Sequence, residues 1–274
     1  MKIDTLIISG SGTNCPLYLG IFHCLLKYKI INSELSNIKD IHTTSIGIWI
    51  SIAMLLKYDI YTLYHILMEV SAASLINYDN INIDTILQES GIFDTKQIAK
   101  LIDRFIYYKT GIKDCTLLKL YQITKIKLNV TVYNINTQNI EVFNHLNHPN
   151  IMVKKLAEMT TSIPFFFKPV QYEGNYYLDG GIDDIIIDHL KKKKYFYIHI
   201  TGGVLNDDTL PLFKTALSVL RRKIKNDKTS RILEIKCSKS IMDFESDEKD
   251  KQKLINDGYY LTLKHLREYN IIEN

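Results

Sequence analysis

The chain of 274 residues is long enough for one large domain or two small ones. With 46% hydrophobic and 23% charged residues it can bury a substantial core, which excludes a disordered chain. A formal charge of +4 is too slight for the dense basic face of a nucleic-acid binder, so no nucleic-acid partner is expected.

Thr5–Ser9 (TLIIS) is a short apolar run and predicts a buried strand. Gly10-Ser11-Gly12 then turns the chain, and Pro16 suits the first turn of a helix. Leu17, Ile21, Leu25 and Tyr28 recur at helical spacing, which buries one face of it. Ile38–Thr43 predicts a second strand, running through Ser45 and Gly47 into the apolar stretch Ile48–Leu56, a buried helix. Strand, tight turn and buried helix thus occur twice near the start, which points to a parallel sheet with helices on its faces. Further on, Asp94 and Gln97 read as a capping box for a helix that reaches about Tyr108 and is stopped by Gly111. Thr116 caps a helix over Leu117–Thr124, and Lys127–Asn134 and Ile140–Asn144 read as a strand pair. Ile151–Thr161 reads as a helix closed by Pro164, and Tyr176–Leu178 as a short strand leading into Asp179-Gly180-Gly181. Tyr195–Ile200 and Arg231–Cys237 predict strands, and Leu212–Asn226 and Asp247–Tyr269 helices. No repeat, linker or low-complexity segment divides the chain, so one domain over residues 1–274 is expected.

Three places carry possible chemistry. Ser45 lies in Thr43-Thr44-Ser45-Ile46-Gly47, which matches G-x-S-x-G except at its first position. A strand-to-helix elbow would expose its hydroxyl at a helix N-terminus; the alternative is a plain helix cap. The amides of Gly10-Ser11-Gly12 can converge on an oxyanion or a phosphate, or merely turn the chain. A dinucleotide loop fits poorly because Cys15 stands where the third glycine belongs, and no Gly-Lys-Ser/Thr follows for a P-loop. Asp179, at a strand end before two glycines, can point into a cleft or form an ordinary turn.

Other residues offer parts of the same chemistry. His42, His189 and His199 are alternative bases for a triad, with His42 beside the elbow rather than across from it. Trp49, Phe165, Phe166 and Phe167 could supply apolar surroundings to a carboxylate or simply pack the core. Lys191–Lys194 reads as a solvated helix end or a contact for anionic headgroups. Asp183 and Asp184 lack ligands spaced for a metal, and none is expected. Cys15, Cys24, Cys115 and Cys237 are scattered, which suggests a reducing, cytoplasmic compartment and no disulfide framework. The Asn129-Val130-Thr131 sequon falls in a predicted strand and is discounted. The opening MKIDTLIISGSG does not read as a signal peptide, and the run Ile46–Leu56 is too short to span a bilayer.

Taken in order, these segments resemble the patatin-like phospholipases, with a glycine turn at Ser9–Gly12, the elbow at Thr43–Gly47 and a late D-G-G at Asp179–Gly181. The likeness includes Tyr18-Leu19-Gly20, Ser162-Ile163-Pro164, Phe167, Pro169-Val170 and Asp243-Phe244. Departures are Thr43 for the elbow glycine, and Asn14 and Cys15 for a basic residue and a glycine after the first turn. The resemblance implies a three-layer α/β/α sandwich with a largely parallel sheet. It implies a Ser–Asp dyad without histidine, metal or cofactor: Ser45 the nucleophile and Asp179 the base. It assigns the oxyanion to the amides of Ser11 and Gly12, with Gly10 and Thr13 beside them, and Gly47, Gly180 and Gly181 to the elbow and turn. The implied substrate is a glycerophospholipid or related acyl ester, met in transient contact with a membrane surface. The competing function is a catalytically impaired lipid- or membrane-binding module on the same fold. Headgroup, acyl position and oligomeric state have no signature in the sequence. A lid over the pocket is expected, if present, from Ser71–Phe93.

Overall fold

The computed structural model describes residues 1–76, 90–181, 194–201, 229–237, 240 and 243–273. In chain order its first half contains β1 (Thr5–Ile8), α1 (Pro16–Lys27), β2 (Asp40–Thr44), α2 (Gly47–Leu55), α3 (Ile60–Glu69), β3 (Gly91–Phe93), α4 (Lys96–Thr110) and α5 (Leu117–Thr124). There follow β4 (Lys127–Asn134), β5 (Asn139–Phe143), α6 (Val153–Thr160), β6 (Phe165–Phe167), β7 (Val170–Tyr172) and β8 (Asn175–Asp179). The last described elements are β9 (Tyr195–Thr201), β10 (Ile232–Lys236) and α7 (Glu248–Glu268).

β10, β9, β1, β2 and β4 lie side by side and parallel. The sheet continues through β8 and β7, and β5 pairs with β4; these three pairings are antiparallel. β1 is buried at every position. Its unbroken TLII run is what a strand covered on both faces requires. The helices form two groups around the sheet: α1 packs along α7 and touches α3, while α2 packs on β1, β2 and α4, and α4 packs on α6. This is the largely parallel α/β sandwich that the repeated strand–helix pattern called for. One large apolar cluster fills it, and a smaller one gathers Ile76, Phe93, Ile98, Ile163 and Phe167 around the β3–β6 pair.

Several expected elements need correction. α4 begins at Lys96 with Thr95 as its cap residue, and the Thr95 hydroxyl donates to the Glu158 carbonyl instead of capping. Asp94 still satisfies a first-turn donor by accepting the Lys96 amide at 3.0 Å, without the capping box expected with Gln97. α3 was not expected, and nor were β3, β6 and β7, each of only three residues. A three-residue strand is too short to show a period in the sequence. Leu212–Asn226, Asp183, Asp184, His189, Lys191–Lys193 and positions 77–89 of the expected lid segment lie outside the described residues.

Candidate active site

Ser45 sits between β2 and α2 with φ +53°, the left-handed region that a side-chain-bearing residue rarely adopts. Two contacts hold it there. Its amide donates to the Thr160 hydroxyl oxygen at 2.8 Å, and that hydroxyl donates to the Thr131 carbonyl at 2.8 Å. Two residues on, α2 crosses β1 so closely that a Cβ on Gly47 would lie 2.6 Å from the Ser9 carbonyl oxygen. The same Cβ would be 2.7 Å from the Thr43 hydroxyl. Thr43 therefore occupies space that Gly47 vacates, which is how a threonine fits at the first position of this elbow.

Asp179 reaches Ser45 through strand register. β2 ends with Thr44 opposite Thr131, and the next residue of β4, Val132, pairs with Asp179. β8 thus takes up the edge of β4 where β2 stops, and the carboxylate arrives beside the elbow. Gly180 makes that approach possible, since a Cβ there would be 2.8 Å from the Val132 nitrogen. The Asp179 amide donates to the Ser162 carbonyl at 2.8 Å, and the Gly181 amide donates back to Asp179 Oδ1 at 3.1 Å. Asp179 is only 4% exposed. Burial raises its carboxyl from the ordinary 3.8 to about 6, and the neighbouring Ser45 hydroxyl, the hydrogen-bonded Gly181 amide and Thr44 restrain the rise.

The loop after β1 closes the third side. Gly10 presses on the serine: a Cβ there would lie 2.7 Å from Ser45 Cβ. Among the described residues, no backbone carbonyl outside the regular elements accepts from the amides of Gly10, Ser11, Gly12 or Thr13. The loop is pinned at both ends. The Ser9 hydroxyl accepts the Ile200 amide at 2.9 Å, and the Tyr18 hydroxyl donates to the Ser9 carbonyl. The Thr13 hydroxyl donates to the Ser240 carbonyl at 3.3 Å and accepts the Asp243 amide at 3.1 Å. In front lies a cavity of about 120 Å³ onto which Gly12, Thr13 and Ser45 open, walled by apolar groups such as Trp49, Leu67 and Phe167. Site and cavity thus gather at the carboxyl ends of β1 and β2, where open α/β sheets bind ligands.

Some candidates fall elsewhere. Phe165 is 42% exposed, and Phe166 stacks on Phe244; of the four aromatic candidates only Trp49 and Phe167 line the cavity. None of the described histidines does. His42 lies within 3.4 Å of the Asn129 amide, and His199 stacks on Tyr197, its burial disfavouring the charged ring. Cys15 lines the cavity, but burial pushes its thiol up to about 12, which leaves it protonated at neutral pH. Asn129 is buried in β4, which is incompatible with a glycan in the folded chain. Three contributors escaped the sequence reading. Thr160 and Ser162 hold the elbow and the carboxylate, and buried Lys251 of α7 lines the cavity while donating to the carbonyls of Leu67, Met68 and Val70 at the end of α3. The family-like stretch that contains Ser162-Ile163-Pro164 was the only sequence signal for Thr160 and Ser162, and Lys251 had none.

Sheet order, elbow, strand-end aspartate and apolar cavity together define an α/β sandwich of the patatin type. A family model for patatin-like phospholipase matches residues 6–191, a stretch containing both Ser45 and Asp179, and the chain belongs to that family. It is 33% identical over 180 residues to an uncharacterised protein of Acanthamoeba polyphaga mimivirus, across 66% of this chain and 58% of that one. It is 29% identical over 204 residues to a probable lipid hydrolase of Invertebrate iridescent virus 6, across 69% of this chain and 66% of that one. The matches thus span under two thirds of the length of both viral relatives. The fold is also similar to that of VipD from Legionella pneumophila, with a TM-score of 0.68 at 14% identity over 98% of this chain and 67% of that one.

Proposed function

We propose that the chain is a lipid acyl hydrolase of phospholipase A type, working through Ser45 and Asp179 without metal or cofactor. The observation that carries this reading is the convergence of the Ser45 hydroxyl, on a strained elbow, with the buried Asp179 carboxyl, whose proton affinity that hydroxyl lowers. A serine hydroxyl becomes a nucleophile only when a base takes its proton, and a carboxylate is a poor base at its ordinary pKa. Burial brings Asp179 near the operating range, and the rest of the barrier is lowered by donors aimed at the oxyanion.

Ser45 Oγ attacks the ester carbonyl carbon as its proton passes to Asp179. The amides of Ser11 and Gly12, with Thr13, stabilise the negative charge on the carbonyl oxygen. The C–O bond to the alcohol breaks, and Asp179 returns the proton to the leaving oxygen. Water then attacks the acyl-serine, Asp179 accepts its proton and passes it to Ser45 Oγ, and a fatty acid departs. The acyl chain occupies the apolar cavity onto which Ser45 opens. The family likeness and the similarity to a probable viral lipid hydrolase support glycerophospholipids or related acyl esters as substrates, met at a membrane surface. No helix among the described residues is long and apolar enough to cross a membrane.

The test is covalent labelling by a fluorophosphonate, read by peptide mass spectrometry. The expected result is a single adduct on Ser45, absent in Ser45→Ala, with fatty-acid release lost in parallel. A folded wild-type protein that binds phospholipid vesicles but neither takes the label nor releases fatty acid would leave the non-catalytic binding module instead.

A further inference from the structure

Ser45 and Asp179 come from distant parts of the chain, yet one turn touches both. α6 ends at Thr160. There, the Thr160 hydroxyl accepts the Ser45 amide and donates to the Thr131 carbonyl, both at 2.8 Å. Two residues on, the Ser162 carbonyl accepts the Asp179 amide at 2.8 Å. Thr131 adjoins Val132, the residue that pairs with Asp179 across the sheet. The turn is itself stiff. The Thr161 hydroxyl donates to the Ala157 carbonyl and the Ser162 hydroxyl to the Glu158 carbonyl, each at 2.8 Å. Thr160 and Ser162 are fully buried, so bulk water has no access to take over these bonds.

We propose that the Thr160–Ser162 turn is a bracket that sets the distance and orientation between Ser45 and Asp179, with Thr160 a positioning residue for acyl transfer. This rests on the dyad reading above. The left-handed backbone of Ser45 is disfavoured for any residue with a side chain and persists only where neighbours over-determine it. Releasing the Ser45 amide frees that peptide to relax, which swings Cβ and Oγ away from the carboxylate. Because the same turn holds the Asp179 backbone, the two side chains share one reference. Thr160 does not line the cavity, so its effect falls on the chemical step and spares acyl binding.

The experiment compares wild type, Ser45→Ala, Thr160→Val and Thr160→Ser. It measures the rate of fluorophosphonate labelling, kcat and KM on a soluble chromogenic acyl ester, and Tm. Thr160→Val keeps the shape but removes the hydroxyl; kcat and labelling should fall about 100-fold, the scale for a misplaced reacting group, with KM unchanged. Thr160→Ser, which keeps the hydroxyl, should restore most of the rate. Should Thr160→Val fail to fold, Thr160→Ala is read in the same way. The bracket is overturned by a folded Val or Ala variant with wild-type kcat, by a rise in KM in place of the fall in kcat, or by a Thr160→Ser variant that keeps the wild-type Tm yet loses turnover. Failure of the dyad reading has a different signature: wild type unlabelled at Ser45, or turnover surviving in Ser45→Ala.

Discussion

Replacing Asp179 by asparagine should stabilise the protein at neutral pH while abolishing turnover. The carboxyl is raised from 3.8 to about 6 chiefly by burial, so folding the charged form costs free energy. At about 1.4 kcal/mol per pKa unit that cost is about 3 kcal/mol once the carboxylate is ionised in both states. The sign follows from proton binding. Between pH 3.8 and 6 the folded state holds more protons than the unfolded state, so stability falls as pH rises through that window. The neutral asparagine, which still accepts from the Gly181 amide through its carbonyl oxygen, escapes the cost. Linkage gives an advantage over wild type of about 1 kcal/mol at pH 4.5, growing to about 3 kcal/mol at pH 8. For a chain of this size that upper value raises Tm by about 6–12 °C. Thermal unfolding of wild type and Asp179→Asn across pH 4.5–8 measures it. An Asp179→Asn protein no more stable than wild type at pH 8, or one whose advantage does not shrink towards pH 4.5, would refute the claim that this carboxylate is held against its solvation preference.

As the proposed base, the same carboxyl must be ionised to accept a proton, so kcat/KM should fall tenfold per pH unit below about pH 6; a pH–rate profile flat down to pH 4.5 would exclude Asp179 as the base. Gly10→Ala should cost about 100-fold in kcat with a modest change in Tm, because the added methyl meets Ser45 Cβ at 2.7 Å and displaces the proposed nucleophile. Kinetics on a soluble ester, with circular dichroism to establish folding, checks it. Lys251→Met should lower stability by about 1–3 kcal/mol, since it strips a donor from three carbonyls at the end of α3 and leaves them unsatisfied under the cavity wall. Urea unfolding reads this directly, and a variant as stable as wild type would show that water replaces the ammonium.

The elements that were legible in the sequence are those whose signal is local. TLII at β1 is an unbroken apolar run. The Ser45 elbow shows itself by a strand, small residues and the apolar GIWISIAML of α2 within one short stretch. Thr116 and Gly111 announce helix ends because a hydroxyl acceptor and a positive φ are properties of single residues, and both act as expected: Thr116 accepts the Lys119 amide at 3.2 Å, and Gly111 has φ +70°. Asp94 stands one position before the cap residue Thr95, whose hydroxyl donates to the Glu158 carbonyl across the packing of α4 on α6. No periodicity could have anticipated that contact.

What the chain specifies by itself is a set of strands and helices, each with a buried face, and a serine on a sharp turn. It also specifies where glycine must stand, because Gly47 and Gly180 sit where backbone passes through the space of a side chain. Which carboxylate meets the serine was decided only in three dimensions, by β8 replacing β2 along the edge of β4 so that Asp179 follows Thr44 in register. Thr160, Ser162 and Lys251 likewise acquire their partners only through tertiary packing. Periodicity and turn chemistry are written in neighbouring residues, whereas burial, a raised pKa and a hydrogen bond between distant segments exist only once packing has excluded water from between them.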